Sequence, residues 1–148
     1  MRILIDGTTL CDESGRCGAG IEHYSWEIVQ RLFRLNSEHE FILFTPPYLN
    51  QVRLNTLIEG CENVRVMKSF GPRISFFTRH VLHPLRFYLQ RPDVTFFPSG
   101  QMPLLWKGKS VITIHDLAIY DHPEWFPNGQ DFSTQTLVPK SIEKANRI

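Results

Sequence analysis

Apolar and polar positions along the chain alternate between two periods. Arg2 to Asp6 is a short apolar run closed by Asp-Gly, the pattern of a buried strand that leads into a loop. Thr8 to Ala19 is polar and holds Gly15, Gly18, Cys11 and Cys17. From Gly20 the period becomes helical: Ile21, Tyr24, Ile28, Leu32 and Leu35 recur on one side, with Glu22, Glu27, Gln30, Arg31 and Arg34 elsewhere. Glu40 to Thr45 predicts a second strand, ended by Pro46 and Pro47, and Val64 to Met67 a third, with a short helix over Gln51 to Ile58 between them. Ile74 to Gln90 returns to helical spacing through Ile74, Phe77, Val81, Leu85 and Tyr88, and Pro84 should kink or split it. Val94 to Phe97 and Ser110 to Ile114 predict the remaining strands. Asp131 to Arg147 predicts a closing helix with an irregularity at Pro139. Strands alternating with helices imply an α/β class, a doubly wound, mostly parallel sheet with helices on both faces. No internal repeat and no linker interrupts it.

Composition narrows the class. At 148 residues the chain has the size of one domain, large enough to bury a core. Hydrophobic residues at 42% and charged residues at 21% are ordinary globular values and argue against disorder. A net charge of +1 gives no electrostatic footprint for nucleic acid. Cys11, Cys17 and Cys61 lack CxxC spacing, which points away from a disulfide framework or a zinc site and toward reduced thiols in the cytoplasm. The opening MRILIDG reaches an aspartate too soon for a signal peptide or a spanning helix, so a cytoplasmic location is expected.

The chemistry concentrates where strands end. Val111 to Trp125, VITIHDLAIYDHPEW, is an apolar run that delivers His115 and Asp116 to a strand's carboxyl end, and in an open α/β sheet that end faces the ligand crevice. Two readings are open: catalytic groups, or an aspartate that caps a turn beside a locally bonded histidine. Gly18-Ala19-Gly20 precedes a helix amino terminus, where free N–H groups favour an anion. A dinucleotide fingerprint fails there, because the glycines lie about a dozen residues past the first strand and the second ends Phe44-Thr45-Pro46 without an acid. His115, Asp116 and His122 do not have an established metal-ligand spacing, so no metal site is expected. Ser99 and Gln101 follow a strand, as Thr8 and Thr9 do, and each could bond a sugar or simply close a loop. Arg79, His83, Arg86 and Gln90 form a polar stripe that reads as a solvated helix face or as a contact with an anionic membrane surface. Trp106, Tyr120 and Trp125 either stack on a sugar or fill the core.

Six segments, MRILIDGTTL, GAGIEHYSWEIVQRL, HEFILF, RPDVTFFPSGQMPL, VITIHDLAIYDHPEWF and LVPKSIEKANRI, resemble in order and spacing the amino-terminal domain of a GT-B glycosyltransferase of family 4. The resemblance spans nearly the whole chain. It implies a Rossmann-like, acceptor-side half of a retaining enzyme that takes a nucleotide sugar as donor, needs no metal, and passes the sugar to a glycan, a lipid-linked or another hydroxyl acceptor. Family members continue through a serine-containing turn into a second Rossmann-like domain that grips the nucleotide, so residues 1–148 alone are expected to be inactive or nearly so. His115 matches the histidine that points at donor sugar and acceptor hydroxyl, where a neutral ring accepts a hydrogen bond or a cation stabilises the departing diphosphate. Asp116 would orient that ring or accept the acceptor's proton. Gly18, Ala19 and Gly20 would face the donor diphosphate. Where the family commonly reads Gly-Ile-Gly-Arg-Tyr, this chain has Gly20-Ile21-Glu22-His23-Tyr24, which makes Glu22 and His23 cleft candidates alongside Thr8, Ser99 and Gln101. Peripheral membrane contact and self-association through the bare domain interface follow as further expectations. The alternatives are a stand-alone carbohydrate- or protein-binding module and an unrelated phosphohydrolase using the His-Asp pair.

Overall fold

The structure, a computed structural model, describes residues 1–10, 19–35, 38–70, 75–126 and 132–148. Cys11, Gly15, Cys17, Gly18, Ile74 and Asp131 lie outside the described residues. Five parallel strands, β1 (Arg2–Asp6), β2 (Glu40–Thr45), β3 (Val64–Lys68), β4 (Val94–Phe97) and β5 (Ser110–Ile112), pair in the order β3-β2-β1-β4-β5. Among the described residues five α-helices accompany them: α1 (Ala19–Leu35), α2 (Gln51–Ile58), α3 (His83–Gln90), α4 (Ala118–Asp121) and α5 (Val138–Lys144). This is the doubly wound, Rossmann-like arrangement. The chain runs outward from β1 to one side and then to the other, so the strand order reverses between β1 and β4.

Side chains that alternate along each strand feed two cores. Ile5, Phe41 and Leu43 face α1 and α2 and pack with Val29, Phe33, Leu54 and Leu57. Leu4, Ile42, Phe44, Phe97 and Ile112 face the other way and pack with Phe87 of α3, Met102 and Trp106, with Ile142 of α5 beside them. A sheet buried on both faces requires strands that are apolar throughout, and that is how β1 and β2 read.

Two amphipathic faces differ from expectation. On α1 the buried line is Ser25, Val29 and Phe33, whereas Ile21 is 37% and Leu35 is 78% exposed. Ser25 is accommodated because its hydroxyl donates to Ile21 O at 2.7 Å and accepts from Thr9 Oγ1 at 3.0 Å, which turns this face toward the loop after β1. In the segment that ends in α3, the buried residues are His80, His83, Pro84 and Phe87, while Phe77, Leu85 and Tyr88 are exposed. His83, expected on a solvated stripe, is therefore core. The cause is a π-helical stretch, Thr78–Leu82, in which the His83 N–H reaches back to Thr78 O. It adds a residue to one turn and shifts the phase of every later position. The same arrangement recurs at Ser133–Leu137, where Val138 N–H bonds Ser133 O. In both places a proline follows at once, Pro84 or Pro139, and the wider turn relieves the clash a proline ring makes with the carbonyl four residues back.

Smaller corrections concern ends. The fifth strand stops at Ile112 and not Ile114, because its partner β4 ends at Phe97, whose carbonyl takes the last bond between them, from Thr113 N–H at 3.2 Å. The closing helix ends at Lys144, after which Asn146 and Arg147 pair with Ser110 and Ile112. Helix α1 begins at Ala19, which puts Gly20 in its first turn and not in the preceding loop.

Candidate functional site

At a topological switch point the loops leaving the two central strands diverge and leave a crevice at the carboxyl edge. Thr8 and Thr9 come from the loop after β1, and Ser99 and Gln101 from the loop after β4. Gly7 packs so closely on β2, with N–H to Phe44 O at 2.7 Å, that a Cβ there would lie 2.8 Å from that oxygen. Asp6, almost fully buried, turns the chain by accepting the Thr8 N–H at 3.0 Å. In the β4 loop Gly100 has φ +71°, and a Cβ would come within 2.8 Å of Thr113 O. Glycine is required there on both counts.

The result is a cleft of about 280 Å³ lined by Thr8, Thr9, Ile21, Glu22, Arg79, Ser99 and Gln101. A hollow of about 510 Å³ adjoins it, sharing Thr8, Arg79 and Gln101 and adding Tyr48, Phe76 and His80 among others. Thr8, Glu22, Ser99 and Gln101, four positions expected from the sequence, thus meet in one wall. Glu22 is not a free acid: Arg53 bonds it at 3.0 Å and itself lies over the Trp26 ring at 4.6 Å. The Gln101 amide donates to Ser133 Oγ.

His115 and Asp116 sit on the same edge, past β5, and both are exposed. The His115 ring meets Tyr24 of α1 edge-on at 4.9 Å, and Tyr24 hydroxyl bonds Thr113 Oγ1 at 2.9 Å. His115 Nε2 lies 2.7 Å from Pro98 O. A carbonyl only accepts, so Nε2 carries the proton, and a neutral ring keeps its lone pair on Nδ1. Asp116 Oδ1 accepts from Ala118 N–H at 3.1 Å and starts α4. Both members of the pair therefore also carry the local bonds that a purely structural role would require.

The remaining candidates separate from this group. Gly20 is open among the described residues: beyond its chain neighbours and its own helix backbone, no heavy atom lies within 4 Å of a Cβ placed on it. His23 is exposed on α1, outside the described lining of the cleft. His122 stacks on Trp125 at 4.0 Å and pairs with Glu124 at 3.2 Å. Among the described residues no group of three or more His, Cys, Asp or Glu side chains is placed to hold a metal ion, and no helix is long and apolar enough to cross a membrane. Trp106 belongs to the core, whereas Trp125 and Tyr120 are exposed.

Three participants were not singled out for the cleft by sequence: Arg79, Tyr24 and Ile21. Arg79 was legible only as part of a surface stripe. Behind it, burial pushes the His83 imidazole down to about 4; Asp6 opposes this, and Arg79, Arg86 and His80 add to it. Burial, then Arg79, lowers His80 as well. Both rings are held by hydrogen bonds, His80 Nδ1 from Leu104 N–H at 3.2 Å and His83 Nε2 with Ser69 Oγ at 2.8 Å. No protein-family model matches the chain, and no curated protein matches it either.

Proposed function

We propose that this domain is the acceptor-side half of a retaining glycosyltransferase that works in the cytoplasm with a nucleotide-sugar donor and without a metal. The observation that carries the reading is the cleft at the β1/β4 switch point, which gathers Thr8, Glu22, Ser99 and Gln101 while Tyr24 holds His115 on the same edge. Hydroxyl, amide and carboxylate groups around a shallow cleft suit a polyhydroxylated ligand. His115 offers Nδ1 to a substrate hydroxyl when neutral and a second N–H when protonated. Asp116 fixes the turn that carries it. A donor-binding second domain supplies the base and ribose contacts, and the sugar goes to a glycan, lipid-linked or other hydroxyl acceptor.

Donor hydrolysis and transfer, assayed with these 148 residues alone and joined to a carboxyl-terminal donor-binding domain, test the reading. Turnover is expected only in the joined form, and it should survive chelation of divalent metals. Robust turnover by residues 1–148 alone, or metal-dependent cleavage of a phosphate ester, would overturn it. The local bonds of His115 and Asp116 favour one second reading, a carbohydrate- or protein-binding module in which both are structural. Such a module would bind glycans in the cleft and transfer nothing in either form.

A further inference from the structure

Two residues that line the cleft each hold a buried polar atom with no partner among the described residues. Thr8 Oγ1 and Arg79 Nε are shut off from solvent, and neither has a hydrogen-bond partner among the described residues. Both residues line the cleft and the adjoining hollow alike, which puts the two side chains at the seam between them. A buried donor left unpaired carries its full desolvation cost, more so on a charged group, and folded chains keep few such atoms. The other charges nearby among the described residues are already engaged. Glu22 is paired with Arg53, and the Asp6 carboxylate accepts the Thr8 N–H. His80 and His83 are hydrogen-bonded, and burial lowers the pKa of each ring. None of the ion pairs among the described residues includes Arg79.

We infer that this seam is an oxyanion subsite: a phosphate or carboxylate group accepts from the Arg79 guanidinium and from the Thr8 hydroxyl, with Ser99 and Gln101 at its margin. A guanidinium presents its donors as a planar fork that suits such a group. The inference rests on the glycosyltransferase reading in one respect, which is that the anion belongs to the acceptor. In that reading the donor diphosphate faces the first turn of α1 at Gly20, which leaves Arg79 for the second substrate.

The test is a titration of the isotope-labelled chain with inorganic phosphate and, separately, with acetate, following the Arg79 Nε–H and the backbone amides of Thr8, Thr9 and Gln101 by nuclear magnetic resonance. Saturable shifts at these groups are expected, and the stronger of the two ions identifies the group the subsite prefers. Arg79→Gln should weaken binding at least about tenfold, the scale for one charge-assisted hydrogen bond, and Thr8→Val by a smaller factor. Arg79→Lys, which keeps the charge and loses the fork, should fall between them, and an unchanged dispersed spectrum certifies that each variant is folded. Absent shifts, shifts confined to Gly20–Glu22, or equal binding by Arg79→Gln would overturn the subsite. Displacement of bound phosphate from Arg79 by uridine diphosphate would assign the subsite to the donor and overturn the acceptor assignment; persistence of the Arg79 shifts supports it. Binding is read here without any transfer, so a joined enzyme that fails to move sugar would end the glycosyltransferase reading and leave the oxyanion subsite standing.

Discussion

At the scale of single residues, His115 is where chemistry and structure are most entangled. Its Nε2–H is spent on Pro98 O and its ring rests against Tyr24, yet the residue is exposed and adds little to either core. In an enzyme that joins this domain to a donor-binding one, His115→Ala should lower kcat by about 10²-fold or more, the scale for one positioned catalytic group, and leave the thermal midpoint nearly unchanged. A destabilised variant with an unchanged kcat would end the catalytic reading. Thr8, Ser99 and Gln101 were legible beforehand because a polar residue two to four places past an apolar strand must stand near the carboxyl edge wherever the sheet is parallel. Arg79 was not. Its place beside Thr8 in the cleft lining depends on how a helix about seventy positions further along the chain docks on the sheet, and no local pattern encodes that.

Among the elements, the strands were read most closely: β1, β2 and β4 have the bounds their apolar runs predict, and α2 does too, with Asn50 accepting the Val52 N–H at 2.7 Å as its cap. Helical faces were read less well. A 3.6-residue period extrapolated across Thr78–Leu82 loses register at the π turn, so Leu85 and Tyr88 of the expected apolar stripe lie exposed and the expected polar stripe contributes His83 to the core. Only the prolines hinted at this, and a proline signals that a helix must adjust without saying in which direction. Helix α1 offers an element-scale test of the anion-facing role given to its first turn. Nothing among the described residues requires a glycine at position 20, and alanine favours a helix by up to about 1 kcal/mol. Gly20→Ala should therefore hold or raise the thermal midpoint while weakening donor binding in the joined enzyme, because the backbone there would no longer be bare. Equal donor affinity in both proteins would show that no phosphate approaches Gly20.

For the whole molecule, the buried His83 sets a pH dependence. Above about 6.5, the ring's ordinary value, folded and unfolded chains both carry it neutral and it contributes no slope. As pH falls through that value the unfolded chain takes up a proton that the folded one refuses, since burial keeps the folded ring near 4, with Asp6 opposing and Arg79, Arg86 and His80 assisting. Stability should fall between those limits, by at most about 1.4 kcal/mol per pH unit, and level off below them as far as this group is concerned. Urea unfolding of the wild type and of His83→Gln from pH 4 to 8 isolates the effect as the difference between the two curves, and parallel curves would refute it. The double winding that encloses His83 was itself legible from the alternation of periods, because apolar strands with helices between them have few other ways to bury both faces. The last described residues have a separate significance. Arg147 forms a parallel bridge with Val111, and its carbonyl takes the Ile112 N–H at 3.1 Å. Open sheet margins are templates on which stray chains assemble into aggregates. Here the margin at β5 is capped by the chain's own continuation, and the margin at β3 carries the exposed side chains of Arg65 and Lys68, whose like charges repel a second copy laid alongside. One flank is partly covered by a later part of the same chain and the other carries like charge, and both oppose edge-to-edge pairing of a sheet this apolar.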